Sequence, residues 1–404
     1  MNLKKRSLFL AALALGLAPL AASAQTTGYL YYAAGGVLSG QEVADDGPRN
    51  SDGMIRSVLV ANVSIDGNTV NVYNWRYAAS QTLGNLLPAD NPATGTTEDF
   101  SYLYLENNVF IHDNVLYVGP GDWNGDSSKT TMNTVAYATI DTATGQLGAW
   151  SFAPVFPSPA DQAIGGGAYI NLGGGNAYYY VVGGNSPSTD RVLVSKLQPG
   201  GGLGAWGTTT PIPAADWFNR AIAVDNLIVI TDGNTTSGGS SSHYTTVNPA
   251  NGQLGAWNSI GAWAAANRWA QAMATVTSPD NSKFVVVAGG NGPTAEVFTS
   301  KVTAGVPGAW TATAPLPVGR RQHTAVGIGK HIFVLGGSAT GSVATAINTI
   351  QVGAIDNAGA ITWTTSTDTN TIAPLPQARN FGGAAFVPVN FPVQTEAKSW
   401  TQYE

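Results

Sequence analysis

Short apolar runs that stop at glycine set the rhythm of this chain. Six of them recur: YLYYAAGG ending at Gly36, NVLYVGPG at Gly121, YYYVVGG at Gly184, LIVITDG at Gly233, FVVVAGG at Gly290 and HIFVLGG at Gly337. Each is about five residues long and rich in β-branched and aromatic residues, the length and make-up of a strand, and each ends where φ > 0 or close backbone approach is permitted. The pattern predicts six equivalent strands.

A tryptophan keeps phase with these runs. Trp150, Trp206, Trp257, Trp310 and Trp363 follow one another at intervals of 56, 51, 53 and 53 residues, inside LGAW, LGAW, LGAW, PGAW and AITW, and Trp75 in NVYNW is a sixth. A period of this size with four short strands per unit predicts a β-propeller. The hexapeptide GQLGAW occurs twice, at Gly145–Trp150 and Gly252–Trp257, behind DTAT and NPAN. Those leaders suit a tight hairpin between the third and fourth strands of a unit. The six tryptophans are read as structural, packing one unit on the next.

The segment LPVGRRQHTAVGIGKHIFVLGG, Leu316 to Gly337, resembles the kelch family of β-propellers: a Pro-containing start, an Arg, an apolar inner strand, a short turn and a strand ending in two glycines. Trp363 fits the family's outer strand, and the resemblance spans nearly all of the chain after residue 24. GPG at Gly119–Gly121 and DG at Asp232–Gly233 depart from the glycine doublet. The resemblance implies a propeller of four-stranded blades. Kelch-type copper-radical oxidases use a Cys–Tyr crosslink, which a chain without Cys cannot form.

The ends carry the strongest topological expectation. The first apolar run reads as the second strand of a unit, and RNFGGAAFV, Arg379 to Val387, reads as a first strand. Joining them shuts a six-bladed, all-β ring and removes exposed sheet edges. The expected organisation is an export signal over 1–24, the propeller over 25–389 and a tail over 390–404.

Composition fixes the setting. Lys4, Lys5 and Arg6, the apolar stretch Leu8–Leu20 and Ala22-Ser23-Ala24 have the layout of a signal peptide, so a periplasmic, cell-surface or extracellular protein is expected. No later segment is apolar enough to span a bilayer as a helix. Setting aside those three cations leaves 15 Lys and Arg against 24 Asp and Glu, a net charge near −9, which opposes nucleic-acid binding. With no Cys there are no disulfides, so stability rests on a large packed core.

No strong catalytic motif is present: the chain lacks a Walker loop, HExxH, G-x-S-x-G and the S-x-D-x-G-x-T-W box. Propeller geometry supplies candidates instead. Aligned on the start of the innermost strand, Asp216, Arg268, Arg320 and Arg379 are equivalent, with Asp161 nearby and Trp217, Trp269 and His323 close behind. At a pore mouth these would clamp an anionic or hydroxyl-rich ligand, arginine forks on oxygens and aromatic faces on sugar rings. The alternative is that the arginines tie blades together through backbone carbonyls. In DWNGDSSK, Asp122, Asn124, Asp126 and Ser128 alternate like oxygen ligands of a Ca²⁺ loop, although position six is Ser127 and position twelve Asn133, and a plain turn has the same composition. The four histidines are scattered and predict no metal site.

Three segments exceed what a blade needs: 39–55, 77–100 and 235–242. Long loops on a rigid frame are where partners usually dock. Two function classes stand open, a module binding a glycan or protein partner and a self-assembling surface-layer or filament subunit. A carbohydrate-active enzyme of the sugar-acid epimerase kind is a further alternative implied by the kelch resemblance.

Overall fold

A computed structural model describes residues 25–36, 45, 54–88, 108–121, 134–157, 165–184, 188–233, 240–265, 268–340 and 345–390. The predicted signal peptide, Asp161, the DWNGDSSK loop and residues 391–404 of the tail lie outside them.

Six antiparallel sheets form the blades, named here from the innermost strand outward. Blade 1 is Gly383–Pro388, Thr26–Gly36, Met54–Asp66 and Thr69–Ala79; blade 2 is Val109–His112, Val115–Val118, Ala136–Ile140 and Leu147–Phe152. Blade 3 is Gly166–Asn171, Ala177–Val182, Val192–Lys196 and Gly207–Thr209; blade 4 is Arg220–Val224, Leu227–Thr231, Ser241–Thr246 and Asn258–Ala262. Blade 5 is Ala272–Thr277, Lys283–Ala288, Val297–Thr303 and an outer strand in two pieces, Val306–Pro307 and Thr311–Ala312. Blade 6 is Thr324–Ile328, His331–Leu335, Ile350–Ile355 and Ile361–Thr365.

The ring closes as expected. Gly383–Pro388 pairs with Thr26–Gly36 in continuous register from Gly28↔Pro388 to Ala33↔Gly383, so blade 1 is stitched from both ends of the chain. Second strands are the most buried: every residue of VLYV, AYYYVV, LIVIT and HIFVL is buried. Packed between two neighbouring blades, such a strand is apolar on both faces, which is why it reads as a continuous run and not an alternation. Segments 39–55 and 235–242 are shorter insertions than the sequence suggests, because Met54–Ile55 and Ser241–Ser242 already belong to third strands.

The glycine doublets have a specific task. The second glycine donates its N–H to the carbonyl of the next blade: Gly184 to Asp216, Gly290 to Arg320 and Gly337 to Arg379, each at 2.8–2.9 Å. At the first glycine, a side chain would collide with that same carbonyl, 2.5 Å from a Cβ on Gly289 or Gly336. Where blade 4 carries Asp232-Gly233 instead, the Gln271 side chain of blade 5 donates to the Asp232 carbonyl at 3.2 Å.

The tryptophans make the matching contact on the outer rim. Trp75, Trp150, Trp206, Trp257 and Trp363 donate their indole N–H to backbone carbonyls of the preceding blade's exit, at Ala373, Asn85, Pro154, Thr210 and Ala314, while Trp310 reaches the Ser242 hydroxyl. Tyrosines lock the GQLGAW hairpins from the other side: Tyr31 donates to Gly145 O at 2.9 Å and Tyr180 to Gly252 O at 2.7 Å.

Gly252 is therefore constrained twice, by its φ of +71° and by the Tyr178 ring, 2.5 Å from where a Cβ would stand. Gly252→Ala is expected to cost about 2 kcal/mol or more in urea denaturation. Gly67→Ala, at φ +59° but with open space around it, should cost only about 1 kcal/mol. Equal losses would show that backbone conformation alone, and not interblade contact, makes the first position a glycine.

Candidate functional site

The innermost strands of blades 4, 5, 6 and 1 start at Arg220, Ala272, Thr324 and Gly383. Asp216, Arg268, Arg320 and Arg379 each stand four residues earlier, so the sequence alignment of these positions holds. Their side chains, however, turn into their own blades and do not gather at the pore. Arg320 is fully buried and donates to Gly336 O at 2.9 Å and to Thr349 O and Oγ1, both at 3.1 Å. Arg379, also fully buried, donates to Ser57 O at 3.1 Å and Ser57 Oγ at 2.8 Å. Asp216 accepts the Gly233 N–H at 2.8 Å, and Arg268 pairs with Glu296. In blades 4, 5 and 6 the group latches the connection between second and third strands, and in blade 1 the beginning of the third strand.

The ledge begins one residue later. Two residues before each of these strands the backbone is left-handed without a glycine, at Phe218 (φ 59°), Ala270 (φ 55°), Gln322 (φ 54°) and Phe381 (φ 57°). Such a kink breaks the extended line, so the preceding residue need not follow its buried neighbour inward. Trp217, Trp269 and Arg321 at that position are half-buried, whereas blade 1 has the buried Asn380, whose backbone pairs with Gly36. Trp217 lies on Phe218 at 4.6 Å between ring centroids, Phe218 on Trp269 at 4.9 Å, and the Arg321 guanidinium sits 5.5 Å over the Trp269 ring. Three blades thus build one aromatic row with a cation at its end. Arg321 is held there by Asn291 Oδ1 at 3.2 Å.

Below lies the channel, a cavity of about 260 Å³ lined by the innermost strands of all six blades. Small residues such as Ala168, Ala221, Ala272 and Ala384 alternate in its wall with larger ones such as Tyr169, Met273 and Phe381. Arg220 is the one charged residue among the described lining groups, and its Nε donates to Gln271 O at 2.9 Å. Tyr169 bonds His112 Nδ1 at 2.7 Å where blades 2 and 3 meet. His323 also lines the channel; burial first, then the charges of Arg320 and Arg220, push its imidazole well below the ordinary range and keep it neutral.

Behind the ledge two carboxyls are displaced the other way. Burial pushes Asp216 up to about 7, the Gly233 N–H offsetting it in part and the Asp232 charge adding to it. Burial likewise pushes Asp232 up to about 6. Sequence reasoning named Trp217, Trp269 and His323 but missed Phe218, Arg321 and Arg220. The repeated spacing of 52 residues from Trp217 through Trp269 to Arg321 was the available signal.

No family model matches the chain, and no curated protein matches it. Among solved structures it is similar to YjhT, a kelch-repeat propeller, with a TM-score of 0.50 and 13% sequence identity over 83% of this chain and 97% of that one. At that identity the likeness is one of fold: an all-β, six-bladed propeller.

Proposed function

We propose that the protein is an exported binding module of the kelch-like type, whose aromatic row stacks on the rings of a glycan at the channel mouth. The observation that supports this most directly is the contiguous, half-exposed row of Trp217, Phe218 and Trp269 ending in Arg321. Flat aromatic faces suit the C–H faces of sugar rings, and a guanidinium supplies forked donors to hydroxyl or carboxylate oxygens. Arg220 deeper in the channel offers a second cation to an anionic substituent. The four latching side chains hold the ledge and are not assigned to the ligand.

Trp269→Ala removes the middle of the row and the support of Arg321. Glycan-array screening followed by titration of the best hit is expected to show at least about tenfold weaker binding in this variant, the equivalent of about 1.4 kcal/mol, with the circular dichroism unchanged. A wild-type protein that captures no glycan, or a Trp269→Ala protein that binds as tightly as wild type, would refute the reading.

A further inference from the structure

The four latching side chains are not alike. Three are arginines, which stay charged throughout the physiological range, and the fourth is an acid, which can lose its charge. That acid, Asp216, stands directly before Trp217, the first ring of the aromatic row. It is 1% exposed; Oδ2 accepts the Gly233 N–H at 2.8 Å, while Oδ1 is buried with no hydrogen-bond partner among the described residues. Ionisation puts charge on an oxygen that neither solvent nor a donor reaches, which is costly.

Neighbouring charges do not remove that cost. Asp232, in the connection Asp216 latches, has the same sign. On the blade 3 side, where the Asp216 backbone bonds Thr189 O and Gly184 N, Asp190 is exposed and Arg191 donates to Pro157 O at 3.2 Å. Arg220, at the head of the inner strand, donates to Gln271 O. Burial outweighs the Gly233 and Trp217 N–H groups, so the carboxyl titrates near 7. The surroundings pass any movement on to the row. Bonds to blade 3 anchor the Asp216 backbone, and the buried Asn219 is anchored by its side-chain bonds to Gly166 N at 2.9 Å and Val182 O at 3.0 Å. Between these anchors lie only Trp217 and Phe218. Gly233 packs so closely on Phe218 that an added Cβ would stand 2.2 Å from the Phe218 carbonyl carbon.

We propose that Asp216 is a positioning residue that places the ledge under proton control: while it is neutral, Trp217 and Phe218 stand in the row and the glycan is held, and when it ionises they shift and the grip weakens. The ligand in this inference rests on the ledge reading, and the inference adds its regulation. Arginine at the equivalent place in blades 5, 6 and 1 cannot switch in this way, so the control enters the row through blade 4 alone.

The test reads the row and the affinity separately on the full chain. Among the eleven tryptophan indoles, that of Trp217 is assigned in ¹H–¹⁵N spectra by its loss in Trp217→Phe. Its resonance is expected to titrate with a midpoint near 7 in wild type and to stay at its low-pH position in Asp216→Asn, whose amide oxygen still accepts the Gly233 N–H. The best glycan-array hit is then titrated at about pH 5.5 and about pH 8.5, either side of that midpoint. Wild type should bind at least about fivefold more weakly at the higher pH, as when the competent fraction drops to about a fifth, and Asp216→Asn should keep the low-pH affinity at both. A Trp217 resonance that does not titrate, a wild-type affinity independent of pH, or a pH dependence that survives Asp216→Asn overturns the proposal. Failure of the ledge reading looks different: wild type captures no glycan at either pH while Trp217 still titrates, and the proton-controlled movement stands without that ligand.

Discussion

Replacing Asp216 by Asn is expected to stabilise the protein above pH 7 and to do progressively less as the pH falls toward 4. The Asp216 carboxyl titrates near 7 in the folded chain against 3.8 when unperturbed, because burial disfavours its ionised form. Between those values the folded state binds the proton more readily than the unfolded state. The contribution of the protonated group is therefore fully present below pH 3.8 and lost as pH rises through 7. At about 1.4 kcal/mol per unit, the displacement from 3.8 to about 7 corresponds to an upper bound of about 4 kcal/mol.

An asparagine keeps an oxygen for the Gly233 N–H and carries no charge to desolvate, so it escapes this penalty. Urea denaturation of both proteins at a series of pH values measures the gap directly. Working with the difference matters. His331 titrates near 4, below its unfolded value of 6.5, so its contribution is lost as pH falls through that window and opposes the Asp216 effect in the wild-type profile. A gap that stays constant with pH would mean that Asp216 is ionised in the folded protein.

Arg379→Met should be the most damaging single substitution in the ring. The side chain is fully buried and its guanidinium satisfies Ser57 O and Oγ, joining the segment before the last strand to the third strand of blade 1. Methionine fills similar volume but leaves those two acceptors unpaired, and each buried acceptor left without a donor costs about 1–3 kcal/mol. Arg320→Met removes an equivalent latch inside blade 6. Both variants should lose stability in urea denaturation. Only Arg379→Met should also raise the amide exchange of Leu30–Ala33, because these residues pair with the closing strand. Protection there equal to wild type would show that strand pairing closes the ring without help from the arginine.

The fold was legible because its signals are local. A second strand buried on both faces must be apolar at every position, so VVGG, VAGG and VLGG announce themselves without knowledge of their neighbours. The outer-strand tryptophans, each packed against the preceding blade, repeat at the blade length for the same reason. Phase at the two termini then leaves one way to complete a sheet.

The site was legible only in part. Alignment found the equivalence of Asp216, Arg268, Arg320 and Arg379, but not that they point into their blades, since an adjacent left-handed residue decides which side chain faces the mouth. Phe218, Ala270, Gln322 and Phe381 share that conformation and no common chemistry. Residue type therefore gave no warning of it.

Sequence by itself determined the number of blades, the order of strands and the way the chain ends meet, because burial and turn chemistry act over a few residues and repeat. Tertiary structure alone decided which polar groups became latches, and which aromatic rings from two blades met a guanidinium from a third as one surface. Those outcomes depend on distances between residues some fifty positions apart, and periodicity along a chain carries no record of them.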